Sequence, residues 1–158
     1  MRKINFLTKL YKEGKLQFVE PSENVKTAYL QRSEESLSSA KALLKIGNLK
    51  DSAALAYYSM YHCLLALLFR TGIKCENHAA AIIILKEVFG KDNRKISKAK
   101  EERVDKQYYV DFKVTEKEVQ DSIAIAEEFI ADIRDFIEKL KQEDTNQYQK
   151  KAHDIVLP

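Results

Sequence analysis

The densest positive segment of the 158-residue chain holds Lys91, Arg94, Lys95, Lys98, Lys100 and Arg103, with only Asp92 against it before Glu101. Clustered lysines and arginines raise the local concentration of anions, so the chemistry offered is phosphate binding, to a nucleotide or to RNA. Tyr108 and Tyr109 follow closely and supply rings on which a base can stack. The plainer alternative is a solvated, charged segment. For a metal, the best candidate set is His62, Cys63, Cys75 and His78, in which Cys75 and His78 are three positions apart. The simpler reading makes Cys63 a small core residue, His62 a polar side chain beside Tyr61, and Cys75 a loop thiol. No metal and no cofactor is expected.

Other chemistries are excluded by what the chain lacks. Loops that cradle phosphates need closely spaced glycines so that backbone N–H groups can converge, and the closest pair here, Gly72 and Gly90, is 18 positions apart. Ser, His and Asp are all present without a nucleophile elbow to organise them. The adjacent carboxylates Glu34 and Glu35, and Glu101 and Glu102, read as solvated helix faces.

The elements that position these residues follow from composition and period. Four glycines and two prolines, the latter at positions 21 and 158, are too few for the turns of a β-sandwich or a βαβ fold. With 45% apolar residues the chain fills one ordinary core, and the expected fold is all-α, an antiparallel up-and-down bundle of four to five helices. Gly14, Gly47, Gly72 and Gly90 each follow a helical pattern and mark its end. Residues 1–21 read as a short basic amphipathic helix and linker, 22–142 as the bundle, and 143–158 as a tail that is poorly ordered or docks through Ile155, Val156 and Leu157.

Within the bundle, Ser22 is placed to cap a helix whose buried stripe is Leu30, Ser33, Leu37, Ala40 and Leu44. Residues 51–70 are apolar almost all round, which puts that helix at the centre. Asn77 caps the next helix, and a loop with a short helix leads through the basic run. Thr115 and Glu118 form the capping-box pattern that opens the final helix, where Val119, Ile123, Ala126, Ile130, Ile133, Ile137 and Leu140 make a bundle seam. Net charge of +3 excludes a strongly basic nucleic-acid binder. Two cysteines make no disulfide framework, and no signal-like or membrane-length apolar run is evident, so a soluble, cytoplasmic protein without membrane association is expected.

The segment AYYSMYH at 56–62, then Gly72 and His78, then Arg103 followed five positions later by Tyr108, then the apolar seam of the final helix, together resemble the HEPN domain. The likeness covers roughly residues 25–140 and is to the small stand-alone prokaryotic branch. It implies a bundle of four or five helices, commonly dimeric. It also implies one of two activities. Some members are metal-independent ribonucleases that use an Arg followed by four to six residues and a His. Others are noncatalytic, bind nucleotides, or pair with a small nucleotidyltransferase in two-component, often toxin-antitoxin, systems.

This chain keeps the arginine as Arg103 but has Tyr108, Tyr109 and Val110 where the histidine belongs. A phenol with a pKa near 10 is a poor base at neutral pH, so the expectation is a noncatalytic module. On this likeness Arg103 would contact phosphate, with Tyr108, Tyr58, Tyr61, His62 and His78 lining the ligand, and a homodimer is expected. The alternatives are a degenerate ribonuclease and a purely structural dimerisation module.

Overall fold

Three caps set where α-helical elements begin. Ser22 accepts from the backbone N–H of Val25 at 3.1 Å and Asn77 from that of Ala80 at 2.9 Å. Thr115 and Glu118 exchange side-chain and backbone bonds in a capping box. The computed structural model describes residues 2–103 and 113–157. Its elements are α1 (Arg2–Lys12), β1 (Leu16–Phe18), α2 (Glu23–Lys45), α3 (Leu49–Arg70), β2 (Ile73–Cys75), α4 (His78–Glu87), α5 (Arg94–Arg103), α6 (Glu116–Glu138) and α7 (Gln142–Val156).

The all-α expectation holds, and α3 is its centre. Nearly every residue of α3 from Ser52 to Leu68 is buried. By length and composition alone α3 could cross a membrane, yet 72% of its most apolar stretch is covered by the rest of the fold. α2 runs antiparallel to it after the turn at Gly47, and small residues let the two backbones approach. Ser33 Oγ donates to the Ser59 carbonyl and Ser52 Oγ to the Ala40 carbonyl, both at 2.6 Å, and all four residues are fully buried. On α6 the expected seam is buried from Val119 to Ile137, with Phe129 added and Leu140 partly covered.

Three expectations are corrected. The stretch after α1 is not a bare linker: β1 pairs antiparallel with β2, Leu16 opposite Cys75 and Phe18 opposite Ile73. Strands of three residues are too short for a period to announce them. Cys75 is therefore a strand residue, only 6% exposed, and not a loop thiol. The C-terminal segment is a helix, α7, and not a poorly ordered tail; it docks through Val156 and, in part, Ile155 as the alternative had it, with Ala152 added, while Leu157 stays 41% exposed.

Polar bonds join an apolar stripe of Tyr148, Ala152, Ile155 and Val156 in seating α7. Arg70 Nη1 donates to buried Thr145 Oγ1 at 2.9 Å while its Nε pairs with Glu23 at 2.5 Å. Gln149 Nε2 donates to the carbonyls of Val19 at 2.9 Å and Gly72 at 3.0 Å. α1 lies on α7, with Leu7 and Leu10 buried.

Gly72 has φ of 78°, and a Cβ there would collide with the Val19 carbonyl oxygen and the Gln149 amide. Gly72→Ala is expected to cost at least roughly 1–2 kcal/mol from the left-handed backbone alone, with the collision added. Urea unfolding that leaves the midpoint unchanged would contradict this account.

Candidate functional site

Tyr57, Tyr58, Tyr61 and His62 occupy neighbouring positions on two rows of α3, because residues four apart on a helix share a face. The inner row meets α4. Tyr57 is fully buried and its Oη lies 2.9 Å from His78 Nδ1. His78 is the first residue of α4, set there by the Asn77 cap, and its ring stacks on Tyr61 with centroids 3.7 Å apart. Tyr58 meets the same imidazole edge-on at 6.1 Å and 90°.

The outer row meets α2. His62 Nδ1 lies 3.2 Å from Ser36 Oγ, and its ring lies beside Tyr58 and Tyr29. Tyr29 in turn stacks on Phe69 at 5.5 Å and carries the Arg32 guanidinium 5.9 Å from its centroid. Tyr58 thus touches both histidines and joins the two rows. Burial, with Arg32 and His78 adding to it, lowers the His62 pKa to about 4, so its imidazole is neutral. Burial raises the Tyr61 phenol above its ordinary value.

The C-terminal turn of α5 meets the chain neighbours of this cluster. Ala99 and Glu102 share a cavity of about 360 Å³ with Met60 of α3 and with Glu118 and Ser122 of α6. Lys100 and Glu101 share a second hollow with Ala79, the neighbour of His78. α5 ends at Arg103, the predicted phosphate-binding residue. The Arg103 side chain, and Tyr108 altogether, lie outside the described residues.

The remaining predicted residues divide clearly. Tyr58, Tyr61, His62 and His78 are brought together. The basic run is laid against carboxylates: Lys91 on Asp132 at 3.9 Å, Arg94 on Asp92 at 2.7 Å, Lys95 on Glu128 at 3.1 Å and Lys98 on Glu102 at 4.0 Å. Lys100 is directed to the Ala79 hollow. His62, Cys63, Cys75 and His78 do not converge, since Cys63 Sγ faces the Ile130 carbonyl and Cys75 Sγ that of Asn77. Burial pushes the Cys63 thiol up to about 12 and raises that of Cys75, so both are protonated at neutral pH. Among the described residues no group of three or more His, Cys, Asp and Glu is placed to hold a metal ion.

Tyr57, Tyr29 and Ser36 were missed by sequence reasoning. A signal existed for the last two, which are seven apart and flank the α2 stripe at Leu30 and Leu37. Tyr57 lies in the AYYSMYH segment, but its partner comes from another helix and no local pattern announced it.

Comparison with known proteins places these features in a family. The HEPN domain family model matches residues 27–140. "Putative toxin MJ0605" of Methanocaldococcus jannaschii is 30% identical over 123 residues, covering 72% of this chain and 89% of that protein. The UPF0332 protein PH1297 of Pyrococcus horikoshii is 46% identical over 54 residues, covering 34% of this chain and 38% of that protein. The chain thus spans less than two thirds of the Pyrococcus relative it matches. No solved structure matches the chain.

The depressed His62 pKa makes a stability prediction. Between pH 6.5 and about 4 the unfolded chain binds more protons at this residue than the folded one. Its contribution is therefore complete above pH 6.5 and declines as pH falls through that window, by on the order of 1 kcal/mol once its partial exposure is allowed for. His62→Gln should flatten this acid limb in urea titrations run above and below the window. An unaltered limb would assign the effect elsewhere.

Proposed function

The chain belongs to the HEPN domain family, and on that premise we propose that it is the noncatalytic HEPN component of a two-component, toxin-antitoxin-type system, binding RNA or a nucleotide at the α3–α4–α5 cluster. One observation supports this reading: the last turn of the helix that ends in Arg103 shares hollows with Met60 of α3, the neighbour of Tyr61, and with Ala79 of α4, the neighbour of His78. An arginine supplies two parallel donors to a phosphate, and flanking tyrosines supply ring faces for a base. The ion pairs that engage Lys91, Arg94, Lys95 and Lys98 favour the cluster over the basic run as the phosphate site.

The noncatalytic half rests on the absent histidine after Arg103. A specific observation keeps a ribonuclease as the second reading, since Ala79, the neighbour of His78 on α4, shares a hollow with Lys100 and Glu101 of α5. Labelled single-stranded and structured RNA, incubated with the chain in the presence of a chelator and run on gels, separates the two. The expected result is retention without cleavage, weakened by tenfold or more in Arg103→Ala, as about 1.4 kcal/mol or more of lost phosphate contact requires. Metal-independent cleavage by the wild type and not by the variant would install the second reading. Absence of both retention and cleavage would remove the ligand-binding reading.

The same proposal has the chain assemble as a homodimer and pair with a small nucleotidyltransferase. The name of the Methanocaldococcus jannaschii relative supports the toxin-antitoxin setting. Sedimentation across a wide concentration range is expected to give twice the chain mass. A monomer throughout would overturn the homodimer.

A further inference from the structure

We propose that the surface made by α1, β1 and α7 is a second ligand site, which takes a nucleoside phosphate, free or within an RNA strand. All three elements lie outside residues 27–140, the HEPN part of the chain. The site shares no residue with the α3–α4–α5 cluster and does not rest on the reading given to it.

Two hollows adjoin on this surface. The larger, of about 550 Å³, includes Tyr11 and Lys12 from the end of α1 and Gln17 of β1 in its wall. The smaller, of about 360 Å³, includes Asn146, Gln149 and Lys150 of α7. Phe18 and His153 line both. Asn146, Gln149, Lys150 and His153 fall at spacings of three, one and three, which sets them on one stripe of α7.

Charge decides the sign of the ligand. Among the described residues no carboxylate lines either hollow. Lys12 and Lys150 stand one in each, both exposed, and neither has an ion-pair partner among the described residues. Glu13, next to Lys12, is held by Lys9 at 4.0 Å and Lys15 at 3.5 Å. The α5 run differs, since its lysines face carboxylates. Two unpaired ammonium groups over one surface attract an anion.

The rings and amides add a base to that anion. Phe18 meets His153 at 5.0 Å and 61°, Tyr11 meets Phe18 at 5.8 Å and 53°, and Tyr11 meets His153 at 6.2 Å and 78°. No pair is a parallel stack, unlike Tyr61 on His78, and all three side chains are half-buried, so a planar base can lie on a ring face. Gln149 gives both Nε2 protons to the Val19 and Gly72 carbonyls, which fixes its amide and leaves Oε1 to accept from a ligand. Asn146, one turn earlier, accepts from Gln142 through Oδ1 at 3.4 Å and keeps its N–H groups to donate. A donor beside an acceptor suits the edge of a base, which carries both. An acidic peptide would engage the lysines and leave the rings and the amide pair unused.

The test is NMR of the 15N-labelled full chain titrated with adenosine monophosphate, with inorganic phosphate, with a single-stranded RNA octamer and with an oligoglutamate peptide. Adenosine monophosphate is expected to shift the side-chain amide of Asn146 and the backbone signals of Gln17, Lys150 and His153. Phosphate alone should bind at least about fivefold more weakly, since it has no base to stack. His153→Ala should cost a similar factor. Lys150→Glu should weaken adenosine monophosphate by about tenfold or more, and its exposed position keeps it informative even where His153→Ala loosens α7. In Arg103→Ala the shifts should persist. Tighter binding of the octamer than of the mononucleotide, or equal binding, would uphold the site and name a strand or a free nucleotide as its source. Phosphate or oligoglutamate that matches adenosine monophosphate would remove the nucleoside. Shifts confined to α3, α4 and α5 would overturn this site while leaving the cluster reading in place, and an absence of shifts at millimolar ligand would overturn it as well.

Discussion

The close antiparallel contact of α2 with α3 is the constraint on which the remaining structure depends. Two helices approach this closely only where neither side chain nor unpaired polar atom intervenes. Here the seam is made of serine and alanine, with Ser33, Ala40, Ser52 and Ser59 at zero exposure. Its hydroxyls donate to main-chain carbonyls across or within the pair, so no buried oxygen is left without a partner. Among the described residues no buried side-chain nitrogen or oxygen lacks one. Because the bonds are directional, they set the axial register of the hairpin as well as its distance, which leucine packing alone would leave looser.

Register then determines the site. With Ser33 opposite Ser59, Ser36 comes level with His62 and Tyr29 with Phe69. The α3 rows that do not face α2 are left to meet α4, α5 and α6. α4 brings one imidazole to them through its first residue, and α5 brings its C-terminal turn. α6 sets Asp132 beside Lys91, just before α5, and Glu128 beside Lys95 on it, so part of the run that reads as a positive patch in one dimension is paired in three. Such exposed pairs are individually weak.

Most of the architecture could be read from the chain because it rests on local patterns. Caps at Ser22, Asn77 and Thr115, turns at the four glycines and the seven-residue rhythm of α6 all report on neighbours within a few positions. What escaped was held by distant partners. β1 exists because β2, more than fifty residues on, supplies its hydrogen bonds. α7 carries only a short apolar stripe, Tyr148, Ala152, Ile155 and Val156, and its seating is completed by the distant partners of Thr145 and Gln149. Within the site the same division holds: Tyr58, Tyr61, His62 and His78 belong to recognisable segments, whereas the role of Tyr57 depends on a contact between helices.

The clasp formed by α1, β1 and α7 has a consequence for the order in which the protein can be made. Gln149 reaches back 130 positions to the Val19 carbonyl, and α1 and α7, from opposite ends of the described chain, pack together. Joining segments so far apart costs loop-closure entropy that must be met before any of these contacts returns stability. The hairpin of α2 and α3 needs no such closure, whereas the clasp forms only once both of its distant parts are present.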